Sequence, residues 1–436
     1  MESTELTRSR AVPRRRWAIA ALLGFGILVN YFDRVNLSVS RDALREAFGI
    51  STVVFGFLLS AYNWPYMLLQ LPSGLLLDRF GVRRVGIVST VIWSIASFVG
   101  AGALGIKSLF GSRFLLGIGE APTFPGNAKA VGYWFPKSER TLATAMFDSM
   151  AKFSSAIGVP LLGLVLLHFG WRANFALTGV ISLVYFALFC AMYRNPSQDK
   201  ALSKAEREHI ERGGAQPEDA VRAAAGAPLG YLLRQRKVLG LALGYGSYNY
   251  VFYLLLTWLP TYLHDAQHLD LAQSVFYTAI PWLCATVAEL IVGGWLVDAL
   301  IQRGSNATRV RQAVLVSGML LGLGIFGVAY SETARAAVFW ITLSITGLSI
   351  AAPVGWSMPS LISPRESVGT VGGIMNLSNQ IAGIAAPIAT GFIVASTHSY
   401  SSAFLAAAGF LLIGIAAYVL LLGNMAPIAE PDVVRG

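Results

Sequence analysis

Twelve long apolar runs, each separated from the next by a short polar punctuation, limit what this chain can fold into more than any other feature. They lie near 17 to 39, 53 to 77, 85 to 105, 109 to 131, 141 to 167 and 173 to 193, and, after a polar interval, near 238 to 263, 272 to 297, 312 to 330, 335 to 360, 367 to 395 and 401 to 423. A helix needs about 20 apolar residues to cross roughly 30 Å of bilayer hydrocarbon. Inside that hydrocarbon each backbone polar group must be satisfied within the protein, which favours helices. Of the 436 residues only 13% are charged and 55% are hydrophobic, whereas soluble domains carry about a quarter charged residues. The fold expected is all-α and integral to the membrane, with twelve transmembrane helices and little left over for a soluble domain.

The runs divide the chain into an N-terminal tail at 1–16, six spans at 17–193, a linker at 194–237, six spans at 238–423 and a tail at 424–436. The first run follows a basic leader, is too long for a signal-peptide core and lacks a cleavage site, so it reads as the first span. The linker holds Ser203-Lys204-Ala205-Glu206-Arg207-Glu208 and an Ala/Gly-rich piece that reads as flexible. Positive charge is uneven between alternate loops. One set holds Arg8, Arg10, Arg14, Arg15, Arg16, Arg79, Arg83, Arg84, Lys137, Arg140, Arg303, Arg309, Arg311 and Arg365, besides the basic linker and Arg435; the other holds Arg41, Arg45, Lys107, Arg172 and Arg335. This bias places both termini and the linker in the cytoplasm. The net charge of +10 therefore reflects topology, and no nucleic-acid partner is expected. Cys190 and Cys284 sit in apolar runs without metal-ligand spacing, so neither a disulfide nor a metal is expected.

The halves echo one another. Gly74-Leu75-Leu76-Leu77-Asp78-Arg79 after the second run resembles Gly294-Trp295-Leu296-Val297-Asp298 after the eighth, and Ala173-Asn174-Phe175 opening the sixth resembles Ser402-Ala403-Phe404 opening the twelfth. Carriers are often built from such repeats around a site at the bilayer midplane. Two pseudo-symmetric six-helix bundles follow.

Charges inside hydrocarbon are costly and mark function by default. Eight fall in the runs: Asp33, Arg34, Arg113, Glu120, Lys129, Asp148, Lys152 and Glu289. Lys129 and Glu289 lie toward helix ends, where snorkelling or loop anchoring accounts for them. Arg113 and Glu120 share a face of the fourth helix about 10 Å apart along its axis. Asp33 and Arg34 are adjacent and point different ways, so they cannot face one partner. One cation is thus free to take a substrate carboxylate, with acids near enough to be tuned by it. Asp148 and Lys152, four apart, form an intrahelical pair unless Lys152 faces the cavity. A network that only locks the bundle is the competing account, but buried ion pairs stabilise poorly beside apolar packing.

The segment Gly74-Leu75-Leu76-Leu77-Asp78-Arg79-Phe80-Gly81-Val82-Arg83-Arg84 resembles the loop motif between helices two and three of the major facilitator superfamily. Asn30-Tyr31-Phe32-Asp33-Arg34-Val35-Asn36-Leu37-Ser38, Arg113-Phe114-Leu115-Leu116-Gly117-Ile118-Gly119-Glu120-Ala121 and Thr257-Trp258-Leu259-Pro260-Thr261-Tyr262-Leu263 resemble its anion:cation symporter branch, which includes bacterial galactonate- and hexuronate-type carriers and the relatives of sialin. The resemblance implies that Asp33 and Glu120 are the protonatable pair, that Arg34 binds the substrate carboxylate and that Arg113 tunes the acids. It further implies that Tyr31, Tyr66 and Asn376 hydrogen-bond the substrate, and that Asp78, Arg79, Arg83 and Arg84 latch the cytoplasmic side, the arginines pairing with acids across the seam. The chain departs from the sugar-acid members in the fifth helix, where Ala151 and Lys152 stand in place of a Gln; Lys152 in the cavity suits a dicarboxylate or an aromatic acid.

The function expected is proton-coupled uptake of a small organic anion, a sugar acid or another carboxylate, by alternating access. A monomer without cofactor suffices, its partners being substrate, protons and lipid. An organic-anion exchanger or exporter built from the same residues is the alternative. No phosphate loop, metal cluster or nucleophile elbow points to an enzyme, Gly117-Ile118-Gly119 lies mid-helix where glycine serves packing, and the loops are too short for a sensor's output domain.

Overall fold

A computed structural model describes residues 14–136, 139–215, 227–364, 367–423 and 425–430, and all the regular structure among them is helical. Helix α1 (Arg15–Val39) crosses unbroken. A short amphipathic helix, α2 (Arg41–Phe48), ends at Gly49, whose φ of 65° lies in the left-handed region that glycine enters without penalty. The second run is split into α3 (Thr52–Ser60), α4 (Asn63–Leu68) and the first part of α5 (Gln70–Ala101). Then come α6 (Ile106–Glu120), α7 (Thr123–Trp134) and α8 (Arg140–Met192). Helix α5 joins the end of the second run to the third, and α8 holds the fifth and sixth. Gly81 (φ 79°) and Gly170 (φ 78°) break them, and no heavy atom crowds either glycine, so it is the backbone reversal that calls for glycine there.

Past α9 (Lys204–Arg212) and α10 (Leu229–Leu232), the second half comprises α11 (Arg236–Asp265), α12 (Leu271–Ala288), a π-helical stretch Glu289–Leu296, α13 (Val297–Gln302), α14 (Ala307–Gly322), α15 (Ile325–Val328), α16 (Ala334–Ile362), α17 (Val368–Thr397) and α18 (Tyr400–Ala416), which continues as a π-helix to Leu422. Every one of the twelve runs is helical, and eight helical segments among the described residues are long and apolar enough to cross a membrane. One of the eight, Ala143–Met192, is itself two runs, so nine of the twelve runs are represented, and those near 53 to 77, 109 to 131 and 238 to 263 are helical without being among them. Leu164, Leu167 and Val180 along Ala143–Met192 are exposed, as a lipid-facing surface requires.

Within the first half α1 packs on α8, and α5 on α6 and α8; within the second, α11 packs on α17 and α18, and α14 on α16. The halves meet where α3 lies on α17 and α8 on α12, with α1 and α11 also in contact. Small residues permit the first approach: a Cβ at Gly56 of α3 would come 2.7 Å from the Pro387 carbonyl oxygen of α17. The face on which α1 begins is called basal here, and that on which it ends distal. At the distal face Arg41 Nη1 meets Asp265 Oδ2 across the halves at 2.7 Å, and the Tyr400 hydroxyl donates to the same oxygen at 3.0 Å. Trp258 underlies this closure, 6.0 Å from the Arg41 guanidinium and edge-on to Phe55 at 6.0 Å.

Part of the linker is not loose. Ser203 caps α9, and Glu206, fully buried, accepts hydrogen bonds from the backbone N–H groups of Arg15 (3.1 Å) and Arg16 (3.0 Å) and from Arg16 Nη1 (2.9 Å). A carboxylate is favourable there because the start of α1 leaves backbone donors unpaired and carries the positive end of the dipole. The Ala/Gly-rich piece expected to be flexible lies largely at 216–226, outside the described residues.

Candidate functional site

Arg34 lies on α1, inside the protein, and both its Nε and its Nη2 donate to a single oxygen of Glu120, Oε2, at 3.0 and 2.9 Å. Glu120 ends α6 and is fully buried, and its other oxygen, Oε1, has no partner among the described atoms. Three rings surround the guanidinium: Tyr31 at 4.4 Å, Tyr62 at 4.9 Å and Tyr66 at 5.5 Å. Tyr31 precedes Arg34 by three residues and Tyr62 precedes Tyr66 by four, so helical spacing aims each pair at one place. A desolvated cation with aromatic faces around it is held by its surroundings while its charge stays strong.

Asp33 turns away from Arg34, as adjacent helical residues must. Its Oδ1 accepts from Ser97 of α5 at 2.7 Å, while Oδ2 has no partner among the described atoms. Arg113 reaches the same turn of α1, donating from Nη1 to the backbone carbonyl of Asp33 at 2.9 Å, with its guanidinium 5.4 Å from the Tyr62 ring. Asp33, Arg34, Arg113 and Glu120 therefore form one buried group, with Tyr31 and Tyr66 against it.

A second group was only half foreseen. Lys152 Nζ pairs with Asp148 Oδ2 on its own helix at 2.9 Å, the expected intrahelical contact, and also with Glu289 Oε2 of the other half at 3.1 Å. Glu289 is 0% exposed, which corrects its reading as a snorkelling or anchoring residue: it points inward because its partner lies across the seam. Lys129 does anchor, donating to the Leu77 carbonyl at 3.2 Å.

Asn376 meets the Arg34 group through Gln70: it donates to Gln70 Oε1 at 2.9 Å and accepts from Asn379 at 3.2 Å, tying α17 to α5, and Gln70 in turn donates to the Tyr66 carbonyl at 3.4 Å. The side chain of Asp78 lies outside the described residues. Among the basic residues of the loop motif, Arg83 donates to the carbonyls of Tyr193 (3.0 Å) and Cys190 (3.2 Å) at the end of α8, Arg79 lies over the Phe80 ring, and Arg84 is exposed. The cross-seam pairing expected of these arginines is not found among the described residues, and for Arg83 the helix C-terminus supplies the reason: its unpaired carbonyls and negative dipole end are an adequate partner. Folding also gathers Asp42, His264 and Asp265, with ligand atoms within 4.8 Å of one another, but the Asp265 carboxylate is already engaged by Arg41 and Tyr400 in the distal closure.

Sequence reasoning missed Tyr62, whose spacing from Tyr66 was visible, and the Arg41–Asp265 pair, which carried no signal because each residue is an ordinary loop charge.

The Major Facilitator Superfamily matches this chain over residues 23–387. The chain is 39% identical over 411 residues to the uncharacterized transporter YybO of Bacillus subtilis (strain 168), with 94% of each covered, and 34% identical over 427 residues to the probable galactarate/D-glucarate transporter GarP of Escherichia coli (strain K12), with 94% and 95% covered. A bacterial homolog of the human lysosomal transporter Spinster, in an inward-facing and unoccupied conformation, shares the fold at a TM-score of 0.71 and 15% identity, over 94% of this chain and 98% of that one. The helical halves, the buried charged groups and these likenesses lead to one conclusion: the chain belongs to the major facilitator superfamily and is a multi-pass membrane transporter.

Proposed function

We propose that this protein takes up a small organic carboxylate together with protons, by alternating access, as a monomer in the bacterial inner membrane. The observation that carries the reading is the contact of Glu120 Oε2 with both Nε and Nη2 of Arg34. The cation suited to a substrate carboxylate is engaged by an acid. A second carboxylate arriving at that guanidinium meets Glu120 in a medium of low dielectric, where like charges repel strongly. A proton on Glu120 removes the repulsion and releases Arg34, so substrate and proton bind together. Asp33 is the second proton carrier, and Arg113, which touches Asp33's own carbonyl, tunes both acids.

Tyr31 and Tyr66 offer hydroxyls to the substrate, and Asn376 joins them once it leaves Gln70. The name of the GarP relative favours a sugar acid. The bodies that rock are 17–193 and 238–423, with the basal face and both termini cytoplasmic. The distal closure through Arg41 and Asp265 then makes this the inward-facing arrangement, and Asp78, Arg79, Arg83 and Arg84 latch the opposite state.

Proteoliposomes with an imposed pH gradient test the reading. Wild type accumulates the carboxylate against its gradient when the outside is acidic. An exchanger shows counterflow with no accumulation driven by pH alone, and that result replaces uptake with exchange.

A further inference from the structure

The mechanism above leaves Lys152 unused. It stands on α8, in the same half as Arg34, and is 4% exposed. Its ammonium is shared by Asp148, one turn earlier, and by Glu289, from the opposite half. As a structural staple this is poorly made. Asp148 alone would neutralise the ammonium, and Glu289 adds a fully buried acid in excess, in surroundings where uncompensated charge is costly. The backbone is irregular at the same point: the π-helical stretch begins at Glu289, and such segments are frequent at functional sites. The two cations share surroundings as well. The Tyr31 ring that lies 4.4 Å from Arg34 is within electrostatic reach of Lys152. Phe252, 5.9 Å from Lys152 Nζ, packs edge-on against Tyr253 at 5.7 Å, and Tyr253 is within reach of Arg34.

The geometry points to Lys152 as a second anion-binding point beside Arg34, engaged by Glu289, so that the substrate is a dicarboxylate with one carboxylate for each cation. This rests on the proposed reading of Arg34 and deepens it. A substrate carboxylate at Lys152 would put three anions around one ammonium, and a proton taken up by Glu289 restores the balance. Among the described residues, the charged and titratable groups facing Glu289 and Lys152 are Asp148 on α8, Tyr245 and Tyr248 on α11 and Tyr31 on α1. Of these groups the two carboxylates are the ones that can receive a proton. Displacing Glu289 also unties the halves, so occupancy of Lys152 and rocking are linked.

Titration calorimetry on the purified full chain tests this with length-matched pairs: galactonate with galactarate, butyrate with succinate, benzoate with terephthalate. Wild type is expected to prefer the dicarboxylate of its best pair by roughly tenfold or more, as a charge-assisted contact gives. Lys152→Gln/Glu289→Gln, which removes both charges and keeps an amide contact, loses that margin, its affinity for the dicarboxylate falling about tenfold further than its affinity for the monocarboxylate. Glu289→Gln alone keeps the dicarboxylate preference and takes up about one proton fewer on binding. Equal loss for both members of the pair, a preference that survives the double substitution, or a wild type that binds no dicarboxylate would overturn the proposal. Arg34→Ala separates the two readings: if it still binds the monocarboxylate, the carboxylate site itself is wrong.

Discussion

Lys152 of the first half and Glu289 of the second meet at 3.1 Å, and neither side chain is more than 4% exposed. Removing one member of a buried pair leaves the other uncompensated, a loss of about 3 kcal/mol or more. The two ends are not equivalent here, because Lys152 also holds Asp148 at 2.9 Å. Lys152→Met strands two carboxylates, whereas Glu289→Gln leaves the Lys152–Asp148 pair intact. Thermal unfolding at pH 7 is expected to show a large drop for Lys152→Met and a change within about 1 kcal/mol for Glu289→Gln. Equal drops would mean that Asp148 does not share the ammonium.

Glu120→Gln keeps the shape of the acid and removes its charge, so Arg34 stays free at every pH. Substrate binding in this variant is expected to lose the part of its pH dependence that Glu120 supplies, taking up about one proton fewer than wild type. Counterflow of labelled substrate persists while uptake driven by a pH gradient falls by about tenfold or more, the scale of one lost charge coupling. Retained accumulation in Glu120→Gln vesicles would assign proton coupling to another residue.

The distal closure predicts a population shift. Asp265 is 30% exposed at its side chain, so the pair with Arg41 is partly screened, and losing it is expected to cost about 1 kcal/mol, roughly fivefold in the balance of states. With Cys190 and Cys284 replaced by Ser, spin labels at Glu46→Cys and His398→Cys on the two sides of the distal face report that balance. Asp265→Asn is expected to enlarge the long-distance population; an unchanged distribution would show that the helix contacts alone close this face.

How much of this was legible follows from what each residue needs in order to be noticed. Asp33, Arg34, Arg113 and Glu120 stand out because hydrocarbon tolerates few charges, and the structure brings all four into one group. Helical spacing alone put Asp148 beside Lys152. Glu289 was misjudged because its distance from a helix end says little when a π-helical stretch and a partner some 137 residues away set its direction. Arg41 and Asp265, 224 residues apart, are ordinary loop charges until the halves close. The polar interval after the sixth run hid Glu206, whose role depends on where α1 begins. Glycine punctuation was plain in the sequence, but the reversals at Gly81 and Gly170 are visible only as backbone angles.

The basal face carries a pH dependence outside the spans. Partial burial pushes Glu139 up, but hydrogen bonds from Arg16 (2.7 Å) and His209 (2.9 Å) outweigh it and hold its carboxyl below the ordinary value of 4.5. A depressed acid contributes stability that is full above its ordinary value and is lost as pH falls through its folded value. The contact that ties α9 to the start of α1 through Glu139 is therefore expected to be intact at pH 7 and to weaken below about pH 4.5. Hydrogen exchange over 204–212 at pH 7 is expected to be faster in Glu139→Gln than in wild type; equal rates would show that Glu206 alone holds the helix.

The account stands or falls on Arg34 as the carboxylate anchor. The direct measurement is ligand-dependent thermal stability of wild type and Arg34→Ala against sugar acids, aromatic acids and dicarboxylates, with their neutral amides as controls. A ligand at a hundred times its Kd stabilises the native state by about 2.7 kcal/mol. One class of carboxylate is expected to raise the stability of wild type by that order while its amide does not, and Arg34→Ala is expected to lose the effect. Stabilisation of both proteins by the same compounds, or by neutral or cationic ones, would contradict the anion site.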